Sequence, residues 1–137
     1  MKPIYKTTVT ASGGRDGKVV SQDGVIELEV RTPKEMRGPG GPFTNPEQLF
    51  AAGYAACFDS ALNFVARTER KKINSQVSAT VGLKLAGLSG FELVVTLDVT
   101  VEGVDSEIAQ KLLEKAHKTC PYSKALRNNV DVKINLV

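Results

Sequence analysis

The stretch NPEQLFAAGYAACFDSALNFVA, residues 45–66, decides the fold of this chain. Asn45 is suited to cap a helix and Pro46 to occupy its first position, so the pattern predicts a helix that runs to about Thr68. The interior is apolar on nearly every side and crowded with Ala, which is typical of a helix buried all round. We therefore predict a long, buried central helix.

A membrane span is the alternative interpretation of the same stretch, because its apolar run approaches the length that a bilayer requires. Asp59, Ser60 and Asn63 lie in the middle of the run. A charge at that depth costs about 3 kcal/mol, which favours a core helix over a span.

The composition of the whole chain is that of one compact domain over residues 1–137, with 42% hydrophobic and 24% charged residues. The 18 Lys and Arg against 15 Asp and Glu give a charge of +3, too mild to indicate nucleic-acid binding. No phosphate-binding or dinucleotide-binding glycine motif is present. The N-terminal MKPIYKTTVT lacks the apolar core of a signal peptide, so we expect a cytoplasmic location and reduced thiols.

Strands are predicted on both sides of the central helix. Before it, alternating polar and apolar residues indicate short strands within 4–11 and 19–31. After it, two strands form a hairpin that turns at residues 87–90. Their apolar residues all lie at odd positions: Val77, Ala79, Val81, Leu83, Leu85, Phe91, Leu93, Val95, Leu97, Val99 and Val101.

Two further helices and a last strand complete the chain. Asp105 is a suitable cap for an amphipathic helix, and Cys120 followed by Pro121 predicts the start of a short one. Residues 130–136 alternate like a strand. The order βββ-α-ββ-α-α-β indicates an α+β fold with mainly antiparallel sheets.

The two cysteines are the strongest candidates for chemistry. A cysteine inside an apolar helix, such as Cys57, is most often an inert packing residue. Cys120, at a predicted helix start, is better placed to react, because free amides there favour a thiolate. Together they suggest a redox pair, but they are 63 positions apart, so spacing alone does not decide whether they meet.

A reactive Cys57 needs a cation beside it, because burial raises the pKa of a thiol. Arg15, within the turn GGRDG, is the candidate, although it also fits a solvated turn arginine. Glu47 complements the dipole of the central helix and could also orient an arginine through a bidentate pair. Ten residues place Glu47 about 15 Å from Cys57 along a straight helix, so one site that uses both needs a bent helix or a second subunit. This points to a dimer with sites shared between subunits.

The remaining candidates have ordinary interpretations. His117, the only histidine, is predicted to be a cation at a helix C-terminus, with a Cys57–His117 hydrolytic dyad as the alternative. Two Cys and one His without paired spacing do not indicate a metal site. Several aromatic residues, most at helical spacing, either wall an apolar pocket or belong to the core: Phe43, Phe50, Tyr54, Phe58, Phe64 and Tyr122.

Three motifs resemble those of a known family. GGRDG at 13–17, NPEQLFAAGYAACF at 45–58 and CPYSKA at 120–125, in this order, resemble the organic hydroperoxide resistance proteins, the Ohr branch of the OsmC/Ohr family. The resemblance covers essentially the whole chain. It implies an α+β, intertwined homodimer that acts as a thiol peroxidase. The chain departs from the family pattern at Phe43 and near Leu126 and Asn128, which affects the expected substrate preference.

By motif, Cys57 resembles the family's peroxidatic cysteine and Cys120 its resolving cysteine. Arg15 and Glu47 resemble the pair that activates thiolate and peroxide. The candidates for lining a substrate pocket are Phe43, Phe50, Tyr54, Phe58 and Tyr122.

The resemblance also implies a catalytic cycle. Cys57 reduces an organic hydroperoxide, including fatty-acid hydroperoxides, and becomes a sulfenic acid, and Cys120 then condenses with it to a disulfide. No bound cofactor is expected, because a dihydrolipoyl group on a partner protein supplies the electrons. The alternatives are an OsmC-branch peroxidase with broader peroxide use, and a redox-sensing or small-lipid-binding module.

Overall fold

The structure is a computed structural model that describes residues 1–137. Apart from three short 3-10 turns, its elements in chain order are β1 Val9–Ser12, β2 Gly17–Ser21, β3 Glu27–Val30, α1 Pro46–Thr68, β4 Asn74–Leu85, β5 Phe91–Glu102, α2 Ser106–Thr119, α3 Pro121–Leu126 and β6 Val132–Leu136. This confirms the predicted α+β element order. Contacts divide the chain into two compact units, Met1–Leu49 and Phe50–Val137. The prediction of a single domain stays a prediction.

The first unit contains an antiparallel sheet in the order β1-β2-β3. Its first strand is shorter than predicted. The ladder between β1 and β2 ends where Val9 pairs with Ser21, and beyond it only the Thr8 carbonyl accepts a bond, from the Gln22 amide. The apolar alternation from Ile4 onward therefore does not extend the strand, because the β1–β2 ladder does not reach it.

One face of this sheet is apolar, and part of it remains exposed. Cross-strand pairing puts Ala11, Val19 and Leu28 on the same face, and Leu28 remains 42% exposed. The opposite face carries mainly polar residues, such as Thr10 and Glu27. Only Ser21 and Val30 are buried in the whole unit. A three-stranded sheet normally requires a packed face for stability, so the exposed part of this face is suited to packing against another surface.

Helix α1 begins where the sequence predicts, with the Gln48 amide donating to Asn45 Oδ1 at 2.8 Å. It is the predicted long core helix, although the chain by itself does not bury it on every side. Within the chain the helix buries one side, which comprises Tyr54, Phe58, Ala61, Leu62, Val65 and Ala66. A stripe at four-residue spacing is exposed instead, namely Ala52, Ala56, Ser60 and Phe64. No other part of the chain covers this stripe.

The buried side of α1 belongs to the core of the second unit, with the sheet β4-β5-β6. β4 and β5 form the predicted hairpin, in which Ala79 pairs with Leu97 and other odd-numbered residues face the core. β6 pairs with β5 in parallel, with Leu97 opposite Ile134. A parallel neighbour requires a crossover, which α2 and α3 supply. These two helices thereby bring the segment around Cys120 into the core that contains Cys57.

Candidate active site

The two cysteines lie next to each other in the second unit. Cys57 is in the middle of α1 and partly exposed, whereas Cys120 is fully buried, and both are free thiols. The Cys120 thiol donates to Cys57 Sγ across 3.6 Å. A disulfide needs about 2.05 Å between the sulfurs, so a movement of about 1.5 Å joins them.

The backbone around Cys120 explains how this sulfur reaches its neighbour. The Cys120 amide donates to the Ala116 carbonyl at 2.8 Å and so ends α2. The Cys120 carbonyl accepts from the Lys124 amide at 3.0 Å and so opens α3. Pro121 occupies the first position of α3, where a missing N–H costs nothing. The same residue caps both helices, which fixes its position between them.

The Cys57 sulfur is the one that receives help from a backbone amide. Burial raises the pKa of the Cys57 thiol, and the neighbouring Cys120 raises it further. The Tyr122 amide, in the first turn of α3, donates to Cys57 and acts in the opposite direction. The sequence predicted such assistance for Cys120 and none for Cys57. The prediction for Cys57 is wrong, because an amide of α3 acts to lower the pKa of this sulfur from another helix. The reactive role of Cys120 stays a prediction.

Arg15 and Glu47 form a bidentate ion pair in the first unit. The Arg15 guanidinium donates to the two carboxylate oxygens of Glu47 at 2.8 and 2.6 Å. The Glu47 side chain is only 15% exposed and that of Arg15 is 34% exposed. The hydrogen bonds lower the pKa of Glu47 and raise that of Arg15. Both groups are therefore charged at neutral pH, and the pair forms within one chain.

The turn that carries Arg15 is held by its neighbours. Gly13 has φ of 80°, in the left-handed region that favours glycine. A Cβ at Gly17 would lie 1.8 Å from the Ser12 carbonyl oxygen, so only glycine fits there. The Asp16 carboxylate accepts from the Thr32 amide at 3.2 Å and from its hydroxyl at 3.0 Å. These contacts present Arg15 from a defined backbone rather than from a loose loop.

Four of the aromatic pocket candidates cluster in the second unit. Tyr54 contacts the rings of Phe50, Phe58 and Tyr122, with centroids 5.8 to 6.4 Å apart. Tyr54 and Phe58 are fully buried, while Tyr122 is 40% exposed. Tyr122 thus faces both the core and solvent, and Phe50 is also only partly buried. That these residues line a substrate pocket stays a prediction.

The other two aromatic candidates are placed differently. Phe43 belongs to the first unit, where the Arg31 guanidinium lies 4.9 Å from its ring centroid. Phe64 is on the exposed stripe of α1. No group of three His, Cys, Asp or Glu side chains is close enough together to hold a metal ion.

His117 is not the helix-terminal cation that the sequence predicts. Its Nδ1 lies 2.9 Å from Ser123 Oγ, which lies 2.7 Å from the Tyr54 hydroxyl. Burial lowers the pKa of His117, and the nearby Arg127 lowers it further, so the imidazole is neutral at neutral pH. Sequence reasoning did not select Ser123. Its place three residues after Cys120, in the motif CPYSKA, was the available signal.

Comparisons with known proteins find relatives over nearly the whole chain. Residues 38–135 match the OsmC-like protein family. The organic hydroperoxide resistance protein OhrA of Bacillus subtilis is 52% identical over 98% of this chain and 97% of its own length. A crystal structure of an organic hydroperoxide resistance protein from Legionella pneumophila superposes with a TM-score of 0.95 at 43% identity, covering 98% of both chains. That of Bacillus subtilis OhrB gives 0.92 at 46% identity, covering 98% of this chain and all of that one.

Proposed function

Because the chain belongs to the OsmC-like family and, within it, to the organic hydroperoxide resistance proteins, we propose that it is a cysteine-based peroxidase that reduces organic hydroperoxides to alcohols. The observation that carries this proposal is the pair of free thiols with their sulfurs 3.6 Å apart. An accessible sulfur beside a buried second sulfur suits a peroxidatic cysteine with its resolving partner.

In the first step, the Cys57 thiolate attacks the terminal oxygen of the hydroperoxide. The O–O bond breaks, the sulfur becomes a sulfenic acid, and the alkoxide takes up a proton and leaves as an alcohol. Arg15, oriented by the Glu47 carboxylate, supplies the positive charge that stabilises the thiolate and the developing alkoxide. The low pKa of Glu47 keeps that carboxylate charged and the pair intact at neutral pH.

In the second step, Cys120 attacks the sulfenic sulfur of Cys57. The S–S bond forms, and the hydroxyl leaves with the Cys120 proton as water. The short distance between the sulfurs supports this step, since it requires only local movement.

In the third step, an external dithiol reduces the Cys57–Cys120 disulfide and is itself oxidised to a disulfide. We propose a dihydrolipoyl group on a partner protein as this reductant, so the chain needs no bound cofactor of its own. Two close, unlinked thiols also suit the reducing cytoplasm, where we place the protein.

The substrate class follows from the aromatic residues near the sulfurs. Tyr122 has a partly exposed ring, and its backbone amide forms a hydrogen bond that acts to lower the pKa of Cys57. An alkyl chain that buries surface against such rings gains about 25 cal/mol per Å², which hydrogen peroxide cannot gain. We therefore propose that organic hydroperoxides, including those of fatty acids, are preferred.

We also propose that the protein is an intertwined homodimer. The apolar sheet face around Leu28 and the exposed stripe of α1 around Phe64 are surfaces that a second copy would bury. In such a dimer each active site draws on both subunits.

The proposed function is tested by steady-state reduction of cumene hydroperoxide with excess dihydrolipoamide. We expect many turnovers for the wild type, none for Cys57→Ser, and a single oxidation followed by arrest for Cys120→Ser. Multiple turnovers in Cys57→Ser would refute the proposal. Stoichiometric but not catalytic peroxide loss in the wild type would instead indicate a redox sensor or ligand-binding module.

The same assay with hydrogen peroxide separates the two enzymatic alternatives. We expect a much higher kcat/KM for cumene hydroperoxide than for hydrogen peroxide. Comparable values would favour the broader peroxide use of an OsmC-branch enzyme.

A further inference from the structure

A buried chain of hydrogen bonds lies beside the two cysteines and has no part in the proposed cycle. It consists of Tyr54, Ser123 and His117, and we refer to it as the Tyr54–Ser123–His117 chain. Ser123 Oγ lies 2.7 Å from the Tyr54 hydroxyl and 2.9 Å from His117 Nδ1. Tyr54 and Ser123 are both fully buried. A buried polar chain of this kind is costly to leave unsatisfied, so it constrains the elements that carry it.

The Tyr54–Ser123–His117 chain connects the three helices that surround the two cysteine sulfurs. Tyr54 lies on α1 three residues before Cys57, and Ser123 lies on α3 three residues after Cys120. His117 lies on α2, three residues before Cys120. Each member is thus about one helical turn from a cysteine.

The protonation state of His117 sets the direction of the hydrogen bonds. Because its pKa is lowered, the neutral ring can accept at Nδ1 from the Ser123 hydroxyl. The Ser123 oxygen then accepts from the Tyr54 hydroxyl, so both hydroxyl hydrogens are used. No buried side-chain nitrogen or oxygen in the structure lacks a partner. The Tyr54–Ser123–His117 chain, with every hydrogen bond formed, therefore favours one arrangement of α1, α2 and α3.

We propose that Ser123, held between Tyr54 and His117, is a positioning residue for the resolving step of the reaction. It fixes α3, and with it Cys120, so that the Cys120 sulfur stays within reach of the Cys57 sulfenic acid. This inference rests on the proposed function.

The shortness of α3 gives the physical reason. A helix of six residues is not stable by itself and depends on the contacts that hold it. Ser123 is its only fully buried residue, and its hydroxyl is the group that bonds to both neighbouring helices. Without that hydroxyl, α3 has more freedom, and the sulfurs spend less time at the separation from which a disulfide forms.

The experiment measures the two chemical steps separately after rapid mixing with cumene hydroperoxide. The first step is followed by trapping the sulfenic acid with dimedone, and the second by the appearance of the Cys57–Cys120 disulfide in peptide maps. For Ser123→Ala we expect disulfide formation slower by about tenfold, the rate equivalent of one lost hydrogen bond. Formation of sulfenic acid should change much less, through the neighbouring Tyr122 amide alone. The longer-lived sulfenic acid should also give more sulfinic acid under excess peroxide.

Variants of His117 show whether the hydrogen bond itself is responsible. His117→Ala removes the acceptor and should slow the second step, whereas His117→Asn keeps an amide oxygen near the Nδ1 position and should restore it. Thr119→Ala is the matched control, because the Thr119 hydroxyl donates only to the Lys115 carbonyl and is not part of the Tyr54–Ser123–His117 chain. It should behave like the wild type.

The outcomes separate the two claims. A wild type that forms neither sulfenic acid nor disulfide would refute the proposed function. A wild type that cycles, together with Ser123→Ala and His117→Ala that form the disulfide equally fast, would refute only the positioning role. Equal slowing of both steps would also refute it, since that indicates general loss of structure. If Ser123→Ala does not fold, Tyr54→Phe and His117→Ala decide in its place.

Discussion

Burial raises the pKa of the Cys57 thiol, and the amide that Tyr122 donates offsets only part of the effect. A peroxidatic cysteine reacts as the thiolate, so at the scale of residues the account depends on a positive charge at the sulfur. Arg15 is the proposed source, and Glu47 is the group that holds its guanidinium in a fixed plane.

Substitutions of this pair should separate charge from orientation. Arg15→Ala should lower kcat/KM for cumene hydroperoxide by about 100-fold or more, because it removes the charge that favours thiolate and alkoxide. Glu47→Gln leaves the charge but weakens the orientation, and its loss should be smaller. The pH dependence of iodoacetamide alkylation should show a higher Cys57 pKa in Arg15→Ala.

Glu29→Gln is the control for Glu47→Gln, because it breaks an exposed Arg31–Glu29 contact at 3.3 Å. Glu29→Gln should change neither kcat/KM for cumene hydroperoxide nor the pKa of Cys57. An Arg15→Ala variant with wild-type kcat/KM would contradict the role of Arg15.

The Arg15–Glu47 pair also predicts a pH dependence of stability. The pKa of Glu47 is lowered from 4.5, so its contribution is fully present above pH 4.5 and disappears as the pH falls through the lower folded-state pKa. The wild type should therefore be more stable than Glu47→Gln at neutral pH. Thermal unfolding of both proteins between about pH 3 and pH 7 checks this, and a difference that does not shrink as the pH falls below 4.5 would contradict it.

At the scale of elements, the important contact is that between α1 and α3. A Cβ at Gly53 would lie 2.8 Å from the Tyr122 hydroxyl and 3.2 Å from its ring. The absence of a side chain at Gly53 on α1 therefore leaves room for the ring of Tyr122, which belongs to α3. In this position the Tyr122 amide reaches Cys57. The close approach of these two helices is what brings the sulfurs together.

Gly53→Ala tests this contact. Alanine should stabilise α1 by about 0.5 to 1 kcal/mol through helix propensity, offset by displacement of the Tyr122 ring. We expect little change in Tm but a lower kcat/KM for cumene hydroperoxide. Gly82→Ala, where a Cβ meets nothing within 4 Å, is the control and should keep full activity. Full activity in Gly53→Ala as well would show that the position of the ring is unimportant.

Elements with local signals were predictable from the sequence, and those set by distant neighbours were not. The start of α1 follows from Asn45 and Pro46, and the β4–β5 hairpin from strict alternation. The limit of β1 depends on how far β2 extends, which the alternation beginning at Ile4 does not encode. Likewise, composition indicates a helix without a polar face, but which side the chain itself covers depends on elements elsewhere in the sequence.

At the scale of the whole molecule, the uncovered apolar surfaces lead to the proposed dimer. The sheet face that includes Val19 and Leu28 is only partly covered within the chain, since Val30 on this face is 2% exposed but Leu28 is 42% exposed. Contiguous exposed apolar surface of this kind is typical of an interface.

Leu28→Glu should therefore weaken the dimer, because it would bury a charge in the apolar contact. Sedimentation velocity should give a dimer for the wild type and a concentration-dependent monomer for Leu28→Glu. Thr10→Glu adds the same charge on the opposite face of the sheet and should remain dimeric. A monomeric wild type at all concentrations would contradict the proposal.

The candidate site was only partly predictable at this scale. Residue type and local position suggested Cys57, Cys120, Arg15 and Glu47, but a separation of 63 positions contains no information on the distance between the sulfurs. The same limit explains the error for His117. The prediction of a positive charge assumes a solvated side chain, but the ring is partly buried and contacts Ser123 on another helix. Contacts between remote segments require the folded chain.

The proposed cycle is tested by a single-turnover reaction of the reduced wild type with an equimolar amount of cumene hydroperoxide, quenched by acid and analysed by mass spectrometry. We expect one cumyl alcohol per chain and one disulfide, which links Cys57 to Cys120. Unconsumed peroxide with both cysteines still open to alkylation would contradict it.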